Sequence, residues 1–379
     1  MNNQDKPIIV DLFCGCGGFG LGAELAGFHT VAAVDIDETL QSAYKRNFPN
    51  TKVINSDLSK MGGEDWNNLL GDTEIDGVIG GPPCQGYSRM GAGDEADPRR
   101  QLLMDFFRHV NILSPKFFVM ENVEGLMDEK NIGQLNLAIS LVDKKYTVLK
   151  PIIVDASLYG APTKRKRVVV IGYDAKRLGD LAPADFLSTA KEVTVRDAIA
   201  DISEPIKQSK DKDNYGWTSY RTNKNLSAYA KMMRKLPPKG LGWSEAISYL
   251  KQDKLSGHFD TTHTESVRQR YETVQQGSVD SVSRSKKLAW NGLCPTLRAG
   301  TGPDKGSHQA VRPIHPSKGR VITVREAARL QGFPDWFCFH PTKWHSFRMI
   351  GNSVSPIVSK AILSKIQDLL NYQKIDMTG

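Results

Sequence analysis

From residue 7 to residue 123, short apolar runs alternate with loops bearing glycine or an acid, and this pattern restricts the fold more than any other feature. Residues 7–13 (PIIVDLF) read as a strand and run directly into CGCGGFGLG (14–22), with a helix expected over 23–27. Strand, glycine-rich loop and helix in that order bring backbone N–H groups and a helix N-terminus close to a ligand. The glycine spacing is not the dinucleotide fingerprint in its usual place, and a glycine loop alone is equally a generic turn. Residues 30–36 (TVAAVDI) form a second strand ending in Asp35. An acid there is placed to accept hydrogen bonds from ribose hydroxyls, the alternative being an exposed strand-end aspartate. A helix over 38–48 and a third short strand at 53–58, carrying Asp57, complete the first half of a doubly wound nucleotide-binding sheet.

The next apolar run, 75–79 (IDGVI), ends in GGPPCQGYS (80–88). Glycine and proline punctuation would hold Cys84 at the strand's carboxyl end, where open α/β sheets place their ligands. As a thiolate it is a candidate nucleophile; a buried structural cysteine is the alternative. Residues 89–98 are polar and glycine-rich, suited to closing over substrate, and 100–113 have helical periodicity. The strand at 116–121 (KFFVME) ends at Glu121-Asn122-Val123. Its carboxylate either faces the same crevice as Cys84 or caps the following helix. Strands are expected at 146–155 and 167–173, and the cations Lys164 to Arg167 before the second either stay solvated or send one arginine into the site.

At 379 residues the chain can hold two or three domains, and its net charge of +8 permits a polyanionic partner. Five scattered cysteines suit reduced thiols in a cytoplasmic protein, and Cys14-x-Cys16 lacks a second cluster to complete a metal site. No apolar run approaches the length of about 18 residues that a membrane helix needs, and the first residues do not read as a signal peptide. Between 186 and 319 the α/β alternation stops, and basic residues are interleaved with aromatics such as Tyr215, Trp217, Trp243 and Tyr249. That mixture suits a surface following a nucleic-acid backbone, with short β-like runs rather than disorder. Helical character returns at 324–331, and a helix over 356–371 is expected to pack back on the sheet. The fold class is therefore α/β, with residues 1–185 and 320–379 forming one domain and 186–319 a smaller, mostly irregular or β domain.

In this order, DLFCGCGGFGLG (11–22), the Asp35 and Asp57 strand ends, GGPPCQGYS, ENV (121–123), the RKR loop (165–167), REAARLQGFP (325–334) and GNSV (351–354) form a series. That series resembles the cytosine-C5 DNA methyltransferases, over nearly the whole chain except the interior of 185–285. The resemblance implies a Rossmann-like methyltransferase sheet using S-adenosyl-L-methionine. It places Phe13, Gly15 and Gly17 in the cofactor loop, Asp35 at the ribose, Ile36 against the adenine, and Asp57 with Leu58 at the adenine edge. Leu102, Asn352 and Ser353 are implied as further cofactor-side residues. Cys84 matches the nucleophile, Glu121 the cytosine-reading acid, and Arg165 and Arg167 the substrate-side arginines, with Asn122 in support. Ser88, Thr296 and Arg298 are implied to face DNA, and 186–319 corresponds to the target-recognition region. The chain departs from the family pattern at Thr163, where Gln is more usual, and at Ser355, where Pro is.

The implied protein is a cytoplasmic monomer methylating double-stranded DNA, either beside a cognate restriction endonuclease or alone. A transfer-RNA methyltransferase of the same family would carry Cys-Phe-Thr where Cys294-Pro-Thr stands, and a shorter recognition region. An inactive DNA-binding scaffold sits poorly with intact Cys84, Glu121 and Arg165. A nicotinamide oxidoreductase would rest on the glycine loop and Asp35 alone.

Overall fold

Apolar runs flanked by glycine, proline and acids fold in the computed structural model as the strands of one central sheet. The structure describes residues 6–83, 101–211, 213–222, 225–299 and 312–376, the last few of these for their backbone only. Five strands lie parallel: β1 (Ile8–Leu12), β2 (His29–Asp35), β3 (Lys52–Asn55), β4 (Gly77–Gly80) and β5 (Phe117–Val123). Helices α1 (Gly18–Ala26), α2 (Glu38–Asn47), α3 (Gly63–Leu70) and α4 (Gln101–Leu113) alternate with them. After α5 (Glu129–Ser140) come β6 (Tyr146–Val148), β7 (Ile152–Asp155), β8 (Thr163–Lys164) and β9 (Lys166–Asp174). The sheet order is β3-β2-β1-β4-β5-β9-β6, with β7 also on β9, and β9 runs antiparallel to β5 from Phe117↔Tyr173 to Val123↔Arg167. That last pairing brings Arg167 to the end of β5 that carries Glu121.

Three expectations need correction. The single strand over 146–155 is two, β6 and β7, parted at Lys150-Pro151, where proline lacks the N–H a continuous ladder needs. The helix expected from 23 begins at Gly18, so Gly18, Gly20 and Gly22 are helical. They cost helix propensity, but a Cβ on Gly18 would strike the Ser353 hydroxyl and Val354 carbonyl, and one on Gly22 the Ser359 hydroxyl. Helix α1 thereby packs closely on the C-terminal helix Pro356–Asp376, whose Val358, Ile362, Leu363 and Ile366 share a buried cluster with Phe19, Ala23 and Phe28.

Third, regular structure between 186 and 319 is more helical than β. The described residues form short helices at Val195–Ile199, Ala228–Met233, Ser244–Lys251 and Glu265–Thr273, while strands are two-residue pairs. Thr194, Ser227 and Thr264 each accept the backbone N–H three residues on, the N-cap that lets so short a helix form. A core cluster joins Leu40, Tyr44 and Phe48 of the α2 region to Ile199, Met233 and Leu255 and to Val324, Leu330 and Phe333. The buried Arg329 pairs with Asp335 (2.7 Å) and Asp201 (2.6 Å), satisfying a charge that would otherwise be costly to bury. Among the described residues no helix is long and apolar enough to cross a membrane.

Candidate active site

Strand order reverses between β1 and β4, so the loops leaving their carboxyl ends diverge and open a crevice. A cavity of about 730 Å³ fills it, within the size range of small-molecule sites. Phe13, Gly15, Asp35, Ile36, Asp57, Leu58, Leu102, Glu121, Arg165, Arg167, Asn352 and Ser353 all line it, from seven separate stretches of chain. Phe13 (φ 55°) and Gly15 (φ 52°) take left-handed backbone, turning the glycine loop over the end of β1. The Gly15 and Asp37 N–H groups donate to the two Asp35 carboxylate oxygens, each at 2.8 Å. Asp35 thus ties the loop to β2, and burial raises its pKa. Gly17, expected at the cofactor, does not line the cavity. Its φ of 96° and a would-be Cβ 2.6 Å from Phe48 and 2.8 Å from Tyr44 explain the glycine by the turn itself.

Ile36 is 68 % exposed at the rim, an apolar side chain without cover. Asp57 accepts from the Ser59 hydroxyl at 2.7 Å and N–H at 3.0 Å, bonds that hold its carboxyl below the usual range. The Leu58 carbonyl accepts from Arg108 Nη2 (2.6 Å) and from His109 Nε2 (2.8 Å). With Nε2 as donor, His109 Nδ1 accepts from Trp66 Nε1 at 2.9 Å, a neutral tautomer that fits its burial-lowered pKa. Arg108 and His109 escaped the sequence reading; the available signal was an Arg-His pair inside an otherwise apolar helix, QLLMDFFRHVNIL. Arg348 was missed too: it lines the cavity and pairs with Asp37 at 2.6 Å across the mouth.

On the opposite wall, Gly81, Pro82 and Pro83 leave β4. Asn122 Nδ2 donates to the Pro82 carbonyl at 3.1 Å, and a Cβ on Gly81 would sit 3.5 Å from Glu121 Oε2. The end of β5 therefore braces the segment leading into Cys84. Cys84 and Ser88 themselves lie outside the described residues. Arg167 Nε stands 2.9 Å from Glu121 Oε1, both largely buried, an acid–cation pair at the cavity wall.

Arg165, also on the cavity wall, is tied to the neighbouring backbone. It is 3 % exposed, and its guanidinium donates to the carbonyls of Leu297 (3.2 Å), Gly351 (3.0 Å) and Ser353 (2.8 Å). Gln331 Nε2 also donates to Ser353 O at 3.0 Å, so two long side chains fix the backbone beside Asn352. Thr296 donates to the Lys164 carbonyl at 2.6 Å and Arg298 is exposed; neither lines the cavity. Among the described residues no group of three His, Cys, Asp or Glu side chains is arranged to hold a metal.

The family model of C-5 cytosine-specific DNA methylases matches residues 8–368. The type II methyltransferase M.XorII of Xanthomonas oryzae is 42% identical over 373 residues, covering 96% of this chain and 85% of that protein. M.DdeI of Desulfomicrobium norvegicum is 30% identical over 386 residues, covering 94% and 88%. The crystal structure of a candidate DNA modification methyltransferase encoded within an E. coli prophage superposes with a TM-score of 0.87 at 42% identity, over 97% of this chain and 100% of that one. The S. pombe Dnmt2 methyltransferase shares the fold at 18% identity (TM-score 0.62, 97% and 100% covered).

Proposed function

This chain belongs to the C-5 cytosine-specific DNA methylases and is a DNA cytosine-5 methyltransferase, and from that premise we propose how its site works. It moves a methyl group from S-adenosyl-L-methionine to C5 of a cytosine flipped out of a short double-stranded sequence, through a covalent Cys84–C6 adduct. The observation that carries this reading is the single cavity walled by Gly15, Asp35 and Asp57 on one side and by Gly81–Pro83, Glu121 and Arg167 on the other. One wall has the glycine turn and strand-end acids suited to a nucleoside-bearing donor. The other has an acid, a cation and the approach to a thiol.

When bound, the donor supplies an electrophilic methyl on a sulfonium. Phe13, Gly15, Asp35, Ile36, Asp57, Leu58, Leu102, Asn352 and Ser353 hold it, with Asp35 toward the ribose and Ile36 against the adenine face. Cytosine C5 is a poor nucleophile while the ring is aromatic. Attack of the Cys84 thiolate forms an S–C6 bond and turns the ring into an enamine with electron density at C5. Glu121, carrying a proton, stabilises the charge developing at N3 by donating a hydrogen bond, and Arg167 beside it does so at O2. Arg165 keeps the facing backbone in place. The C5–methyl bond forms as the sulfonium loses that methyl, a base or water takes the C5 proton, and the electron pair left behind expels the Cys84 thiolate. The base must leave the duplex for this, at a cost of a few kcal/mol.

Residues 186–319 hold the duplex as the target-recognition domain, with Ser88, Thr296 and Arg298 toward DNA, and the rest forms the catalytic domain. The protein works as a cytoplasmic monomer, beside a restriction endonuclease of the same specificity or alone. A duplex carrying 5-fluorocytosine tests the covalent step, because fluorine cannot leave as the C5 proton does. With donor present, a stable protein–DNA adduct should form and be lost in Cys84→Ser; no adduct with substrate-grade DNA overturns the mechanism.

A further inference from the structure

β1 carries an acid that this chemistry does not use. Asp11 is 1 % exposed and lines the same cavity. Its Oδ2 accepts from the Tyr44 hydroxyl of α2 at 3.2 Å, and the Gly20 N–H of α1 also faces it. Helix α1 approaches so closely only because residue 20 is glycine; a Cβ there would stand 2.7 Å from Oδ2. Oδ1 is buried with no hydrogen-bond partner among the described residues. The titratable groups facing Asp11 are Tyr44 from α2, Asp35 from the end of β2, and Cys14 and Cys16 from the glycine loop. Its sheet neighbours Ala33 and Ile79 are uncharged. No cation stands among these groups. Burial raises the Asp11 pKa to about 8, so at neutral pH the carboxyl holds its proton.

A buried carboxyl without a cation is costly to ionise, and a positive charge entering the same water-poor space removes much of that cost. Methyl transfer converts a sulfonium to a thioether and so takes one positive charge out of the cavity. We propose that Asp11 senses that charge: it releases its proton to solvent when the sulfonium donor binds and regains one when the thioether product is left, favouring donor over product. Asp11 is thus a specificity residue of the donor site, and its role rests on the reading of S-adenosyl-L-methionine as donor. Donor affinity then rises with pH up to about 8 while product affinity follows much less, and each unit of pKa displacement is a tenfold affinity difference.

Calorimetric titration near pH 7, in buffers of different ionisation enthalpy, counts the protons exchanged on binding S-adenosyl-L-methionine and S-adenosyl-L-homocysteine. The donor should release more protons than the product, and Asp11→Asn should shrink that difference and lower the donor-to-product affinity ratio about tenfold. The ligands' own amino groups contribute alike in both proteins. Tyr44→Phe removes the one hydroxyl bonded to Asp11 and should move the pH midpoint of donor affinity upward. An equal donor–product difference in wild type and Asp11→Asn, or an unmoved midpoint in Tyr44→Phe, overturns the inference while the donor reading stands. Failure of folded wild type to bind either ligand overturns the donor reading and this one with it.

Discussion

Replacing Arg165 by alanine separates a clamp from a catalytic group. Its guanidinium is 3 % exposed and serves three main-chain carbonyls, those of Leu297, Gly351 and Ser353. A hydrogen bond to a charged group contributes about 1.5–3 kcal/mol, and bonds sharing one fork are not additive. Truncation, which takes this donor from the Leu297 and Gly351 carbonyls and leaves Ser353 only its Gln331 bond, should cost about 3–5 kcal/mol out of a typical stability of about 5–15 kcal/mol. Two of the carbonyls flank Asn352 on the cavity wall, so donor affinity should fall at least tenfold as well. Arg165→Lys keeps the charge without the planar fork and should lose about half as much. Urea denaturation with a fixed m-value and calorimetric donor binding measure both quantities. If Arg165→Ala stays within about 0.5 kcal/mol of wild type and binds donor normally, yet transfers no methyl group, the clamp reasoning is refuted and Arg165 acts on substrate.

Burial lowers the pKa of His258, and that of His315 to about 4, against an ordinary value of 6.5. Each therefore contributes stability that is present above about pH 6.5 and lost as pH falls below it, for His315 down to about pH 4; His315 alone should cost about 2 kcal/mol by pH 5, and a melting temperature flat from pH 7 to 5 would contradict this. Gly22→Ala gains about 1 kcal/mol of helix propensity but drives a Cβ into the Ser359 hydroxyl and Lys360 backbone, so urea unfolding should show a net loss of about 1–3 kcal/mol. Asp35→Ala frees the Gly15 and Asp37 N–H groups and should weaken donor binding tenfold or more, while DNA affinity without donor, read by gel shift, stays near wild type.

Much of the site was legible because it is built from strand ends, which short-range punctuation marks in a sequence. Asp35, Asp57, the Gly81–Pro83 turn and Glu121 each follow an apolar run, and a parallel sheet brings its carboxyl ends together whatever lies between. What escaped depends on partners far away along the chain. Helix α1 starts at Gly18 because Ser353 and Ser359 pack against it, more than 330 residues later, and no local propensity announces that. Arg108 and His109 look like two polar interruptions of an apolar helix until the Leu58 carbonyl lies against them. Arg165 reads as one of four cations in a loop, and only the return of 351–353 to the sheet makes it a buried clamp. The short helices of 186–319 were hidden by their length, too brief for a periodic signal but long enough for a capped turn.

The central claim is methyl transfer to cytosine C5 by way of Cys84. Bisulfite sequencing of a plasmid recovered from cells expressing this chain, beside a Cys84→Ser control, tests it most directly. Protected cytosines in one short recurring context, absent with the control, are the predicted result. A folded, donor-binding protein that leaves every cytosine convertible, or a Cys84→Ser variant that still protects them, would contradict it.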